Sequence, residues 1–361
     1  MDMERLRAAR ARLGDAVVDP AVWPEILHQV SAAVGAVGAS LQTDVQTSEI
    51  PRSPGVDEGF RYYLANGWYL RDIRGRRAFP LLLSGKKVLI DQDIITSDEM
   101  RRSDMYNELL APLGLKWWAL VGFWVDSALW GLSFQRSSRE GPFDVNDKRS
   151  LASLSQRLTD TATLSKAVGQ AVLSGVTNAM GLVNQPALAL DRMGFVLDAN
   201  ATAEQIFDDD MRVCNRRLIV RDPRARSTLQ VLVDQLRTTP DAAALPVDPI
   251  VVSRRAKQPV VIRILPVYGA ARSPFLGARA LLVLSDLELK SGPQPPVLTQ
   301  IFGLSRSEAK LAAIVAKGRS PQEAAAELGI AQETARNQLK SIFAKTGTHR
   351  QGELIALLSK L

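Results

Sequence analysis

Arg336, Asn337 and Lys340 stand at i, i+1 and i+4 close to the end of the chain. On a helix that spacing gathers them onto one side, away from an apolar stripe of Leu339, Ile342 and Phe343. The three side chains share one chemistry. An arginine pairs bidentately with guanine, an asparagine with adenine, and a lysine reaches guanine or a phosphate. Thr334, Lys345 and Arg350 flank the group and suit phosphate oxygens, which set register without reading sequence. Ser320, at the start of an earlier helix, offers a helix N-terminus to a further phosphate. Each residue taken singly is ordinary solvated surface, so the elements around them decide.

Those elements are strongly punctuated. Ser305 with Glu308 three residues on reads as a capping box, and Gly318 as a helix stop. Ser320, Pro321 and Glu323 open a second helix whose small apolar face is Ala324, Ala325 and Leu328, and Gly329 closes it. A third helix follows from about Gln332 to Lys345 and stops at Gly347. A last one begins near Arg350 and carries Leu354, Leu357, Leu358 and Leu361. Two short helices joined by a tight Gly-containing turn, the second rich in Arg, Asn, Gln and Lys, describe a helix-turn-helix.

The stretch SRSEAKLAAIVAKGRSPQEAAAELGIAQETARNQLKSIFAKTG resembles the C-terminal DNA-binding domain of LuxR-type transcriptional regulators over about Leu304 to Leu361. The resemblance implies that Arg336, Asn337 and Lys340 meet bases. Three positions depart from the pattern: Ala331 replaces a capping Ser, Ala335 a Val, and Gln338 a His. Loss of the cap weakens the recognition-helix N-terminus by about 1 kcal/mol. The departures touch sequence preference rather than fold.

From Val297 to Leu361 there are nine Lys and Arg against five Asp and Glu, so +4 of the chain's +7 lies in its last sixth. On this motif such an excess reads as a footprint for double-stranded DNA. No apolar run approaches the roughly 18 residues of a membrane span, and MDMERLRAARARLGD lacks the apolar core of a signal peptide. The expectation is a cytoplasmic protein without membrane contact. Cys214 is the single cysteine, and His28 and His349 are the only histidines. Neither a metal-ligand cluster nor a phosphate-cradling Gly-rich loop is present, so no metal, no cofactor and no enzymatic activity are expected.

Ahead of the DNA-binding stretch, residues 1–145 alternate helical segments with strand-like runs. Helices are expected after Asp19-Pro20, over the aromatic-rich Phe60–Asp72, and from Ser97 or Asp98 to Leu110. Strands are expected over Ala39–Val45 and Lys87–Ile90, a loop over Gln46–Glu58, and a hairpin from Leu115–Val125 and Leu129–Phe134. All six Trp and four of the five Tyr fall here. They form either a ligand pocket, with Tyr63, Trp68, Tyr69, Asp72, Trp117 and Trp118 as candidates, or an aromatic core. The order of elements resembles a GAF domain. The stretch before Asp72 also resembles the ligand-binding domain of autoinducer-responsive LuxR regulators, which implies an acyl-homoserine lactone.

Residues 146–183 read as a connecting helix. Leu151, Leu154, Leu158, Thr161, Ser165, Val168, Val172, Gly175, Ala179 and Leu182 step by three and four, as in a dimerising coiled-coil seam. From 184 to 289, LALDRMGFVLDANATAEQIF and the closing LVLSDLE resemble a PAS domain: two strands, a helical middle and three more strands, with helices on one face. This stretch contains no His, and Cys214 lies outside a flavin-adduct motif, so haem and light-sensing flavin are not expected. Residues 290–297 read as a stiff polar linker and 298–361 as the DNA-binding domain.

The expected fold is therefore multi-domain: two α+β sensory domains with antiparallel sheets, then an all-α four-helix domain. The function it implies is a dimeric, sequence-specific transcriptional regulator, controlled by a small molecule or protein signal and working with RNA polymerase. The competing readings are a protein-interaction adapter whose helix-turn-helix no longer binds DNA, and an enzyme with an unrecognised cleft.

Overall fold

The computed structural model describes residues 1–43, 50–239, 248–287, 293–359 and 361. The end of the expected Ala39–Val45 strand, part of the Gln46–Glu58 loop, the last residues of the PAS-like stretch and Lys290–Gly292 of the expected linker lie outside the described residues. The chain divides into two compact units, Met1–Ser285 and Asp286–Leu361. The first mixes helices with antiparallel sheets; the second is helical. No helix among the described residues is long and apolar enough to cross a membrane.

The first sheet comprises β1 (Gly38–Gln42), β2 (Val88–Ile90), β3 (Leu115–Val125) and β4 (Ala128–Ser137), in the order β1-β4-β3-β2. The β3–β4 hairpin forms as its sequence implies. It turns through Asp126, at φ 52°, and pairs Val125 with Ala128. β3 is apolar on both sides because both faces of the sheet are covered. One face packs Val121, Phe123 and Val125 against Leu151, Leu154 and Leu158 of the helix Val145–Leu182. The other packs Trp118 and Leu120 with Leu82, Tyr106 and Leu109.

Several local expectations change here. The helix Ile73–Leu83 was unforeseen, because Gly75 and Pro80 argue against it. Asp72 nucleates it by accepting from the Arg74 and Gly75 amides, and Ala78 and Leu82 bury its inner side. Residues 54–58, expected in a loop, open the helix Pro54–Ala65 instead. That helix ends before Gly67, at φ 65°, and a 3-10 turn Trp68–Leu70. The expected Ser97–Leu110 helix breaks in two. Thr96 caps Ser97–Arg102 through a capping box with Glu99, Ser103 leaves the helical region, and Met105–Leu110 forms a π-helical turn.

In the second half of this unit, β5 (Ala187–Asp191), β6 (Val196–Ala199), β9 (Ile250–Val252), β10 (Val260–Pro266) and β11 (Ala278–Asp286) form the expected five strands, ordered β6-β5-β11-β10-β9. Helices cover both faces of it, not one. Leu188, Leu190, Leu282 and Leu284 face the helix Pro223–Thr238, whereas Ala187, Ala189, Leu281 and Val283 pack with Leu173 of the long helix. Near-continuous apolar strands such as ALAL and ALLVL are the mark of a sheet buried on both sides. A separate ribbon, β7 (Met211–Cys214) and β8 (Arg217–Val220), turns through Asn215 and Arg216 with φ 50° and 58°. Without a Gly marker the turn went unread.

The long helix corrects the seam. Leu151, Leu154, Leu158, Thr161 and Ser165 are buried in the protein's own interior and offer nothing to a partner helix. Val172, Gly175, Ala179 and Leu182 are exposed. The two halves of the unit also share a core. Phe275, in the loop between β10 and β11, sits edge-on to Trp23, Phe123 and Trp130, with ring centroids 5.7, 6.1 and 5.0 Å away. The same loop places the Ser273 hydroxyl 2.8 Å from that of Ser165. A Cβ on Gly169 would fall 2.7 Å from the Ala270 carbonyl oxygen, so only glycine admits this approach.

The second unit has five helices among its described residues: Pro295–Phe302, Arg306–Ala316, Pro321–Leu328, Gln332–Thr346 and Gln351–Leu358. The first is additional to the four expected, and its opening residues 295–297 fall within the expected linker. Pro295 and Pro296 occupy its first turn, where a missing amide hydrogen costs nothing, and Leu298 anchors it in the core.

Candidate functional site

Two capping boxes frame the helix-turn-helix. Ser305 Oγ accepts from the Glu308 amide while Glu308 Oε2 accepts from the Ser305 amide, and Ser320 and Glu323 repeat the arrangement. Gly329, at φ 65°, closes the Pro321–Leu328 helix in the left-handed region. The Gln332–Thr346 helix then starts at Ala331, which has N-cap geometry (φ −64°, ψ 144°) and no side-chain cap. Ala335, Leu339 and Ile342 seat it on Ala309, Ala312, Val315 and Leu354.

That seating leaves Arg336, Asn337 and Lys340 exposed on one side. Arg336 makes only a 3.9 Å approach to Glu333. Asn337 and Lys340 make no side-chain hydrogen bond or ion pair among the described residues. Thr334 and Arg350 are likewise exposed, and Arg350 is the N-cap residue of the last helix. Ser320 is half-buried, and its hydroxyl is engaged with Glu323.

Lys345 is placed differently. Its Nζ lies 2.7 Å from Glu308 Oε2, and Ser341 donates to Glu308 Oε1 at 2.6 Å. Burial alone would raise the Glu308 carboxyl; the bonds from Lys345, Ser341 and Ser305 outweigh it and hold the group down to about 2. Sequence reading gave Glu308 a capping role only. The carboxylate also ties the Gln332–Thr346 helix to the Arg306–Ala316 helix. Gln338 carries a second surprise, an amide oxygen that is buried without a hydrogen-bond partner.

In the first unit, the predicted aromatic residues separate. Tyr63 and Asp72 line both a cavity of about 530 Å³ and a smaller one of about 60 Å³. Tyr69 lines the larger and Trp118 the smaller. Trp68 is buried with Arg71 stacked 4.1 Å over its ring, and Trp117 packs between two core clusters under Lys116. Neither is among the lining residues of these cavities. The Tyr63 hydroxyl donates to Asp72 at 2.9 Å, and burial together with the Asp72 carboxylate pushes its phenol up.

Bordering the smaller cavity through Arg74 is a polar group that sequence reading missed. The Arg74 guanidinium is fully buried and donates to Asp91 at 3.1 Å, to the Tyr106 hydroxyl at 3.0 Å and to the Lys116 carbonyl at 2.7 Å. Asp91 also accepts from Tyr106 and from the Trp118 amide. Burial works against the charge on Arg74, but Asp91 and Tyr106 more than restore it. Arg74 and Asp91 are 17 residues apart on different elements, so no local spacing announces them.

No family model and no curated protein matches the chain. Among solved structures it is similar to a phage VqmA–DPO complex, at 16% identity over 52% of this chain and 88% of that one, with a TM-score of 0.23. It is similar to the Vibrio cholerae VqmA dimer without target DNA, whose description places it among LuxR-type receptors, at 15% identity over 50% and 85%, with a TM-score of 0.20. It is also similar to the E. coli DhaR(N)–DhaL complex, at 12% identity over 78% and 87%, with a TM-score of 0.24.

Proposed function

We propose that the protein is a sequence-specific DNA-binding transcriptional regulator of LuxR type. The observation that carries this is the exposed trio Arg336, Asn337 and Lys340, whose one pairing among the described residues is the 3.9 Å approach of Arg336 to exposed Glu333, on a helix whose opposite side is fixed in a core. Seated in a major groove, Arg336 and Lys340 read guanine edges and Asn337 adenine. Thr334 and Arg350 take phosphates, with Ser320 supporting a helix N-terminus and Lys345 spending part of its hydrogen-bonding capacity on Glu308.

The regulator acts as a homodimer in the cytoplasm, with two recognition helices about 10 base pairs apart and RNA polymerase as its downstream partner. Supporting a dimer is the outer side of the long helix, which carries exposed Leu164, Val172, Val176 and Leu182 and no charged residue from Ala167 through Leu182. The first unit, GAF-like then PAS-like, is the sensor, and its cavity beside Tyr63 and Asp72 is the ligand site. It performs no catalysis.

Gel-shift titration against genomic fragments tests the DNA reading. Specific complexes are expected with the native chain and are lost in Arg336→Ala/Lys340→Ala with the circular dichroism spectrum unchanged. Complexes that survive this double substitution refute base readout. Light scattering that gives a monomer at micromolar protein, with and without DNA, refutes the dimer. A second reading, an adapter whose helix-turn-helix has lost DNA binding, draws on the uncapped Ala331 and the orphaned Gln338 amide. It requires that no genomic fragment is retained.

A further inference from the structure

Five aromatic side chains, Phe60, Tyr63, Tyr69, Phe79 and Trp124, line the larger cavity of the first unit, and Asp72 lines it with them. Aromatic faces carry negative quadrupole density and attract cations that shed water onto them. The wall already shows this behaviour: the Arg52 guanidinium lies 5.0 Å from the Phe60 ring centroid.

Asp72 supplies the formal charge. Its Oδ1 accepts from the Arg74 and Gly75 amides at 2.8 and 3.2 Å, and its Oδ2 from the Tyr63 hydroxyl at 2.9 Å. All three donors are neutral groups, and Asp72 forms no ion pair among the described residues. The neighbouring Arg74 side chain is committed to Asp91, Tyr106, Gln135 and the Lys116 carbonyl, and Asp72 acts on it only through space. The remaining charged lining residue, Arg76, is exposed to solvent and donates to the Arg71 carbonyl, so ions screen it. An anion in the cavity would face the carboxylate. A neutral occupant would strip water from Asp72 and return at most a hydrogen bond, leaving its charge uncompensated.

We propose that this cavity binds a small organic cation, an amine or quaternary ammonium on an apolar body, with the charge held between Asp72 and the aromatic rings. The inference rests on the reading of the cavity as a ligand site and names the class of ligand. About 530 Å³ suits a molecule of that kind.

Three soluble probes of nearly one skeleton test it on the full chain: 2-phenylethylamine, 2-phenylethanol and 3-phenylpropionate, titrated by calorimetry and by tryptophan fluorescence. The amine is expected to bind at least tenfold tighter than the alcohol, and the acid not to bind. Asp72→Asn keeps the helix cap through its Oδ1 and removes the charge, while its Nδ2 turns donor toward the Tyr63 hydroxyl, which then accepts. It is expected to erase the tenfold preference with the melting temperature nearly unchanged. Equal binding of amine and alcohol, or an undiminished preference in Asp72→Asn, overturns the cation assignment and leaves the ligand site standing. If none of the three probes binds, the cation assignment falls. If, in addition, no small molecule co-purifies with the protein by native mass spectrometry, the ligand-site reading falls with it.

Discussion

Lys345 and Glu308 are joined across the C-terminal unit, Nζ to Oε2, at 2.7 Å. One carboxylate thereby caps the Arg306–Ala316 helix and anchors the Gln332–Thr346 helix. A folded-state value near 2, against 4.5 for a free glutamate, is a depressed carboxyl. Its stabilisation is complete above pH 4.5 and is lost as the pH falls toward 2. Glu308→Gln should cost about 2 kcal/mol at pH 7, on the scale of roughly 1.4 kcal/mol per pH unit with a discount for partial exposure. Urea unfolding of both forms across pH should show the gap closing between pH 4.5 and 2. A gap independent of pH would assign the loss to packing.

The uncapped start of the Gln332–Thr346 helix predicts a gain. Ala331 already holds N-cap backbone angles, so a serine there needs no rearrangement to accept from an amide of the first turn. Ala331→Ser should stabilise the protein by about 1 kcal/mol in equilibrium unfolding.

The proposed base and phosphate contacts separate by salt. Arg350→Ala should weaken all DNA sequences alike and reduce the slope of log affinity against log salt by about 1. Arg336→Ala should cost about 1–3 kcal/mol on the preferred site and flatten discrimination at one base pair. Fluorescence anisotropy at several salt concentrations distinguishes the two.

The Arg74–Asp91 pair predicts non-additivity. Asp91→Ala strands a guanidinium that is 2% exposed and should cost about 3–5 kcal/mol. Replacing both partners, as Arg74→Met with Asp91→Leu, should cost less than that single change. Denaturation of the four forms closes the cycle.

Phe275 predicts a coupling between the two halves of the first unit. Phe275→Ala empties the space among Trp23, Phe123 and Trp130 and should cost about 3–5 kcal/mol. Hydrogen exchange should then rise in residues 269–277 and along the long helix near Ser165. A rise confined to the substituted loop would mean that the halves hold together without this ring.

What the sequence by itself determined is local. Ser305 with Glu308, Ser320 with Glu323, Gly329 and Gly347 lie within a few residues of the groups they satisfy, so the helix-turn-helix could be read from caps alone. Short apolar, β-rich runs likewise located most strands of both sheets. Tertiary structure decided whatever depends on distant partners. Spacing by threes and fours along the long helix looks the same whether its partner is a second chain or the protein's own β3. Only the packing assigned Leu151, Leu154 and Leu158 to the interior and left Val172 and Leu182 outside. Glu308 with Lys345, Arg74 with Asp91 and Phe275 with Trp23 are contacts between separate elements. Each forms because burial demands a partner for a charge or a filling for a space, and the chain must fold before that demand exists.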